Sequence, residues 1–217
     1  MEKFSDLEKR HLTLGKAMLL ADGGKMFSLD MYAVGSLKRS MAHCKGFSTL
    51  IATKNLTCAG GILRMQLDTL LRFYAAFLVS DPHDFAHQII CGTKRVDDFT
   101  DRAGNRLKDG FLKKELSKQH PWIESVYNET SGYVHFSKKH IFSAFGAVSD
   151  EDRSVEFFIS SEDLEHAQEF HGEAIAAFIH ITQIFLDHIE GWVFTKDNPI
   201  LVKELVSKGV RQVPVTT

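Results

Sequence analysis

Apolar residues recur every three or four positions through most of the chain, which is the spacing of helices that bury one face. The predicted helices cover residues 4–21, 28–52, 55–79, 83–90, 111–118, a segment from 121 onward and 160–194, with a last short helix from Asn198-Pro199. Asp22-Gly23-Gly24 ends the first of them, because glycine readily adopts the left-handed conformation of a helix C-cap. The pattern therefore predicts a helical protein.

The apolar stripe is strongest on the third predicted helix. It contains Leu63, Leu67, Leu70, Tyr74 and Phe77. A helix with so wide an apolar face is predicted to lie centrally among the others. The second helix is predicted to bury a stripe of Met31, Val34, Leu37, Met41, Cys44, Ser48 and Ile51.

The pattern changes to a strand-like one near residue 140. HIFSAFGAV and SVEFFIS are rich in β-branched and aromatic residues, and the acidic cluster SDEDR separates them. Two such runs around a polar turn predict a β-hairpin. We therefore predict an all-α helical bundle with a small β-hairpin insertion at about residues 140–160. No internal repeat or domain boundary is visible, so residues 1–217 are predicted to form a single helical domain. Residues 92–110 are predicted to form a loop or a mobile segment, and the sequence leaves open whether this segment orders on binding.

Composition narrows the class of protein. The chain has 217 residues, a formal net charge of −2 and 44% hydrophobic residues, which does not favour bulk binding to nucleic acid. The N-terminus has no signal-peptide core and no segment is apolar enough for a membrane span. Three cysteines, an odd number, suit reduced thiols, so a cytoplasmic location is expected. The 17 phenylalanines raise the hypothesis of a homodimer through phenylalanine-rich helix faces.

A charged stripe crosses the third helix. Arg64, Asp68 and Arg72 are four residues apart and so share one face. The stripe is interpreted either as a solvated salt-bridge ladder or as a ligand site in which Asp68 orients an arginine towards an anionic group such as phosphate. Both interpretations stay open at this point.

Polar groups able to do chemistry are densest between Pro121 and Phe145. These groups are Tyr127, Asn128, Glu129, Thr130, Ser131, Tyr133 and His135. On one continuous helix, Ser131 and His135 would share a face with Asn128, with Tyr127 beside them. Histidine is the usual general acid or base near neutral pH. The alternative is a histidine buried where the helix gives way to the hairpin, and Gly132 predicts a kink or a close backbone approach.

The layout resembles that of uncharacterised bacterial proteins grouped with the HEPN superfamily. The resemblance rests on a helix reading ILRMQLDTLLRFYAAFLV, a helix ending SGYVHFS before a short hairpin, and a long closing helix. It implies a small helical bundle and, as in many members, a metal-independent ribonuclease of toxin or phage-defence type. The HEPN signature combines an arginine, a polar residue and a histidine on one helix. His135 matches the histidine and Asn128 a polar partner, but no arginine lies between Trp122 and His135, so Arg64 or Arg72 would have to supply it.

A metal or cofactor is not predicted. His83, His87 and Cys91 are spaced four apart, and two histidines at that spacing can share an ion. Cys91, however, lies about 12 Å along the helix axis from His83, which is too far for one ion to be bound by all three. No cofactor motif is present either.

Two functions follow as alternatives. One is a binding or regulatory module of HEPN-like architecture that takes a partner protein or a small ligand. The other is a HEPN-like ribonuclease acting on RNA, in which His135 is the general acid or base and Arg64 stabilises the charged phosphate.

Overall fold

Helices form most of the part of the chain that the computed structural model describes, which is residues 2–162 and 169–207. They are α1 (Glu2–Leu20), α2 (Ser28–Ala52), α3 (Leu56–Leu78), α4 (Pro82–Ile90), α5 (Asp109–Ser117), α6 (Trp122–Val134), α7 (Lys138–Phe142), α8 (Glu169–Asp197) and α9 (Pro199–Ser207). Strands β1 (Phe145–Ser149) and β2 (Ser154–Phe157) pair as an antiparallel hairpin. The all-α bundle with a small β insertion is confirmed.

Helix α3 lies at the centre of the bundle, as its stripe predicted. It packs against α2, α4, α5, α6 and α8. The Asn55 side chain caps its start by accepting a hydrogen bond from the Cys58 amide at 3.0 Å. Leu63, Leu67 and Leu70 are buried. The position of α3 brings it into contact with every element that carries a candidate site residue.

The predicted stripe of α2 is wrong at its beginning. Met31 and Val34 are 52% and 42% exposed, whereas Leu37 and Cys44 are buried as expected. The buried face of α2 also includes Asp30, Ser40 and His43. A pattern that counts only apolar residues skips these polar members, and that shifts the face it predicts.

Most phenylalanines on the helices fill the core of a single chain. Phe47, Phe73, Phe85, Phe178 and Phe185 are fully buried. The Phe47 and Phe178 rings stack with centroids 4.2 Å apart. Burial of each ring stabilises the fold by roughly 1.5–3 kcal/mol. These rings are used within the chain and do not form a surface that a second copy could cover.

A buried polar network crosses this core between α1, α2, α3 and α8. The His11 Nδ1 atom donates to the Leu7 carbonyl at 2.7 Å, so in the neutral imidazole Nε2 accepts from the Ser40 hydroxyl at 2.8 Å. The Gln66 amide donates to Ser40 at 2.7 Å and to the Thr182 hydroxyl at 3.1 Å. The Gln66 oxygen lies 3.0 Å from Nδ1 of His43, which donates to it. Each of these polar groups is therefore hydrogen-bonded.

A buried ion pair joins the start of α2 to the end of α8. Lys196 Nζ lies 3.0 Å from Asp30 Oδ2, and both side chains have no exposed surface. Asp30 also accepts from the Trp192 indole at 2.8 Å and from the Phe27 amide at 2.8 Å. Lys196 donates to the Met18 carbonyl at 2.7 Å. This cluster fixes the last turns of α8 against the end of α1 and the start of α2.

Stability should decrease in mild acid because several histidines are buried. Burial lowers the pKa of His11, His43 and His188 below the ordinary value of 6.5. Below pH 6.5 these histidines bind protons in the unfolded chain but stay neutral in the folded chain. The free energy of unfolding therefore has its full value above pH 6.5 and decreases as the pH falls from there through the lowered pKa values. We expect urea unfolding to show a free energy that falls by up to about 1.4 kcal/mol per pH unit for each such histidine.

Replacing one of these histidines is the control for this slope. His188 donates to the Ile184 carbonyl and lies against the rings of Tyr74 and Phe77. A His188→Phe variant cannot titrate there, so its unfolding free energy should depend less steeply on pH. A wild-type free energy that stays constant between about pH 7 and pH 5 contradicts the prediction.

The run before the hairpin is helical and not a strand. Residues 138–142 form α7, and β1 begins only at Phe145, so the first half of HIFSAFGAV was wrongly predicted as extended. The Ser137 hydroxyl accepts from the Lys139 amide at 3.3 Å and donates to the Gly132 carbonyl at 2.8 Å. A serine N-cap at this position starts a helix that the β-rich composition conceals.

The polar segment 92–110 is attached to the bundle along its length. It contains a 3-10 turn at Val96–Asp98 and a bridge between Thr100 and Arg106. Val96 and Leu107 are buried, and the Arg102 guanidinium donates to the Phe77 carbonyl at 3.0 Å. The segment is thus a loop, as predicted, with defined contacts to α3.

Helices α8 and α9 close the described chain. The apolar face of α8 buries Phe178, Ile181, Phe185, Ile189 and Trp192, whereas Phe170 near its start is 56% exposed. Residues 163–168, which belong to the predicted helix 160–194, lie outside the described residues. Within the described ranges, no helix combines the length and apolarity that crossing a bilayer requires.

Candidate functional site

The charged stripe of α3 is part of a salt-bridge network with α2 and α5. Arg72 Nε donates to Asp68 Oδ1 at 3.1 Å, and Arg72 also pairs with Asp109. Arg39 Nη1 donates to Asp68 Oδ2 at 3.1 Å. Asp68 therefore holds two arginines at once. Asp68 bonds to Arg39 of α2, Arg72 bonds to Asp109 of α5, and the two residues pair with each other within α3, which is a structural arrangement of these charges.

Arg64 and Tyr127 are brought together. Cζ of Arg64 lies 4.1 Å from the centroid of the Tyr127 ring, and Lys113 Nζ lies 5.1 Å from the same centroid. Arg64 is 14% exposed and its Nη2 is 3.7 Å from Asp109 Oδ2. Contacts of a cation with a ring face contribute about 0.5–2 kcal/mol each. The Tyr127 ring thus joins α6 to α3 and α5.

His135 does not lie on the α6 face. The helix ends at Val134, and His135 has extended backbone angles, φ −109° and ψ 142°. The histidine side chain is exposed. The expectation that it shares a helix face with Ser131 is therefore wrong, because the chain leaves the helix so that Ser137 can cap α7 and bond to the Gly132 carbonyl. Side chains approach Gly132 closely, since a Cβ atom there would lie 3.2 Å from the Ser137 hydroxyl and 3.3 Å from the Lys139 side chain.

The remaining residues of the stretch separate from one another. Asn128 is exposed on α6. The Ser131 hydroxyl donates to the Tyr127 carbonyl of its own helix at 2.8 Å. Tyr133 packs on α3, where a Cβ atom added at Gly60 would lie 2.5 Å from the Tyr133 ring. Neither Arg64 nor Arg72 is directed at His135, since both guanidinium groups bind carboxylates on the α5 side.

A large cleft opens on the other side of α6. Its volume is about 970 Å³. The floor and walls come from the start of α3, the Val126–Thr130–Tyr133 face of α6, α7 and the hairpin, and the beginning of α8. The apolar side chains that line it are Leu56, Leu63, Val126, Phe142, Ala144, Phe158, Ile159, Phe170, Ala174 and Ala177. Tyr133 reaches the floor only because Gly60 has no side chain.

Charged groups lie on the walls of this cleft. Glu129, Glu162 and Glu173 are carboxylates, and Lys139 is the one lysine among the described residues of the lining. Lys139 Nζ lies 2.5 Å from Glu129 Oε2, and that hydrogen bond lowers the pKa of the Glu129 carboxyl. The lysine also lies over the Tyr133 ring, 4.9 Å from its centroid. With one carboxylate neutralised by Lys139, the lining has an excess of negative charge.

Sequence reasoning did not find the cleft. Of the polar groups noted between Pro121 and Phe145, Glu129, Thr130 and Tyr133 line it, and of these only Tyr133 had been predicted as a site residue. The signal that was available is the spacing of Val126, Thr130 and Tyr133, which places them on one face of α6 away from Tyr127. The opposing surfaces of α3 and α8 are distant in the chain, so no local pattern could join them.

The histidines and cysteines within the described part of the chain do not form a second site. Cys91 Sγ lies 3.7 Å from His87 Nε2 on the exposed side of α4. Across residues 2–162 and 169–207, no three histidine, cysteine, aspartate or glutamate side chains are grouped so as to hold a metal ion. Cys44 is buried, and burial raises the pKa of its thiol to about 12. A thiol with that pKa is not a nucleophile near neutral pH.

No family model, no curated protein and no solved structure matches this chain. The relationship to the HEPN superfamily therefore stays a prediction.

Proposed function

We propose that this protein is a non-enzymatic binding module whose site is the cleft between α3, α6, the α7–hairpin segment and α8. The observation that carries the proposal is the cleft itself, a cavity of about 970 Å³ with mainly apolar walls and a few charged groups. Ligand sites in proteins typically have volumes of about 300–1,000 Å³ and this kind of lining. This proposal keeps the binding-module alternative that the sequence raised. It places the ligand site in the cleft on the other side of α6 and not at the charged stripe of α3.

The charges of the lining favour a particular class of ligand. Glu162 and Glu173 are exposed at the cleft, and no ion pair to another described residue accompanies them, whereas Glu129 is paired with Lys139. Opposite charges about 4 Å apart attract by roughly 1 kcal/mol even in water. We infer that the ligand is an apolar molecule with a positively charged group, its apolar part on Leu63 and Phe158 and its charge at the two glutamates.

The test compares three probes that share one alkyl chain. Decyltrimethylammonium, decanol and decanoate carry a positive, a neutral and a negative head, and each is titrated calorimetrically below its micelle concentration. We expect binding in the order cationic, neutral, anionic, with about tenfold between the first and the last. Glu173→Gln should reduce that ratio to about threefold without changing the binding of decanol.

Two matched alanine variants on α8 locate the binding. Ala174 lines the cleft and Ala176 is exposed outside it. Ala174→Phe should abolish the binding of all three probes because its ring occupies the cavity, and Ala176→Phe should leave every affinity unchanged. Equal binding to both variants, or no preference among the heads, overturns the proposal.

The ribonuclease alternative makes an opposite prediction. It requires a guanidinium beside His135, whereas Arg64 contacts Tyr127 and Asp109. On the binding proposal, the purified protein leaves RNA intact in the absence of metal. Cleavage by the wild type that is lost in His135→Ala, with an unchanged circular dichroism spectrum, makes the protein an enzyme and overturns the non-enzymatic part of the proposal.

A further inference from the structure

One face of the hairpin is apolar and uncovered among the described residues. Val155 and Phe157 are two positions apart on β2 and so point to the same face. Their partners on β1 are Val148 and Phe145, which are three positions apart and face the same side because the pairing shifts by one residue, as at a β-bulge, between them. We call these four residues the hairpin strip. Val148 and Phe157 are 68% and 66% exposed, and Val155 is 44% exposed. Glu156, between two members of the strip, points to the opposite face, as does Phe158 in the cleft.

A hairpin of this kind needs a covering surface. The sheet has only two strands within the described chain, and every residue of β2 is exposed. An isolated two-stranded hairpin is marginally stable in water and gains stability from a third strand or from packing of its apolar face. Contiguous exposed apolar residues on an otherwise well-buried protein mark an interaction surface. The strip is such a surface.

Charge is distributed unevenly along the strip. At one end the turn between the strands carries Asp150, Glu151 and Asp152 beside Arg153. At the other end of the hairpin the chain enters β1 from α7, whose first residue, Lys138, is exposed. Rotation by 180° about an axis through the middle of the strip brings the acidic end of one copy to the basic end of another. A surface that is complementary to itself in this way is what a two-fold symmetric dimer requires.

We propose that the hairpin strip is the interface of a homodimer, in which two hairpins stack face to face in antiparallel orientation. The Phe157 and Val148 side chains of each copy cover those of the other, and the acidic turn of one copy lies beside Lys138 of its partner. The interface is separate from the phenylalanine-rich helix faces, which are buried within each chain. It is also independent of ligand binding in the cleft, which opens on the other face of the hairpin.

Sedimentation velocity on the full chain tests the dimer. We expect the wild type to sediment as a dimer within about 1–100 µM, and Phe157→Asp to raise the dissociation constant by about thirtyfold or more, as for a residue at the centre of an interface. Leu12 is an exposed apolar residue far from the hairpin in the chain, on α1, with 57% exposure. Leu12→Asp is the matched control and should leave the dissociation constant unchanged.

Charge reversal tests the antiparallel orientation without altering the apolar strip. Glu151→Lys and Lys138→Glu should each raise the dissociation constant by about three- to tenfold, and the double variant should return it towards the wild-type value. Both side chains are exposed, so folding is not at risk. A wild type that is monomeric throughout the range overturns the proposal, as does a dimer that Phe157→Asp and both charge reversals leave unaffected.

Discussion

Replacing Asp30 by alanine should lower the free energy of unfolding by about 3–5 kcal/mol. The substitution leaves the Lys196 ammonium group buried, with the Met18 carbonyl as its remaining hydrogen-bond acceptor among the described residues. It also removes the acceptors of the Trp192 indole and the Phe27 amide. Loss of one partner from a buried ion pair is strongly destabilising because the remaining charge is uncompensated. Urea unfolding at neutral pH measures the change.

Two controls separate burial from charge in this prediction. Asp6 and Lys9 form an ion pair on α1 at 3.3 Å with side chains 64% and 74% exposed, so Asp6→Ala should change stability by less than about 0.5 kcal/mol. The double variant Asp30→Asn with Lys196→Met should cost less than the sum of its two single variants, since it leaves no buried charge. An Asp30→Ala variant as stable as Asp6→Ala contradicts the account.

The ion pair also shows what the sequence cannot reveal. Asp30 and Trp192 are 162 residues apart, and nothing local to either residue indicates the other. In the sequence, nothing distinguishes Asp30 from other acidic residues near helix starts, or Lys196 from other basic residues near helix ends. Only the packing of α8 against α1 and α2 turns them into a buried pair, and packing over such a distance leaves no periodic signal.

Helical periodicity was informative where the buried face is purely apolar. It predicted α3 and its central position, because leucines and aromatics outnumber the buried polar residues Gln66 and Thr69 on that helix. It shifted the face of α2, where Ser40 and His43 are buried with the apolar residues. It also missed α7, since a single serine cap at Ser137 outweighs the β-rich composition of the following residues.

The candidate site was predicted in its parts and not in its arrangement. Spacing correctly put Arg64, Asp68 and Arg72 on one face, where the two arginines pair with Asp109 of α5 and Asp68 pairs with Arg39 of α2. The contact of Arg64 with Tyr127 joins two groups that had been considered separately. The proposed ligand site depends on how α3, α6 and α8 face one another, with Gly60 admitting Tyr133, and spacing on one helix does not define such a relation.

Replacing Gln66 by leucine should lower the free energy of unfolding by about 2–4 kcal/mol, although leucine is apolar and fits a core of this kind. The Gln66 amide is the shared member of the buried network. Its loss leaves Nδ1–H of His43 without an acceptor and removes the donor to the Ser40 and Thr182 hydroxyls. Each buried donor left without a partner costs about 1–3 kcal/mol.

The matched control is a glutamine on the surface of the same bundle. Gln183 is exposed on α8, next to Thr182 in the chain, and Gln183→Leu should change stability by no more than about 0.5 kcal/mol. Near-ultraviolet circular dichroism of Gln66→Leu adds a second measurement. Because the network holds α1, α2, α3 and α8 in one register, its loss should weaken the signal of the packed aromatic residues as well as the stability. If Gln66→Leu is as stable as Gln183→Leu and keeps the wild-type spectrum, apolar packing alone fixes the four helices and the polar network is incidental to the fold.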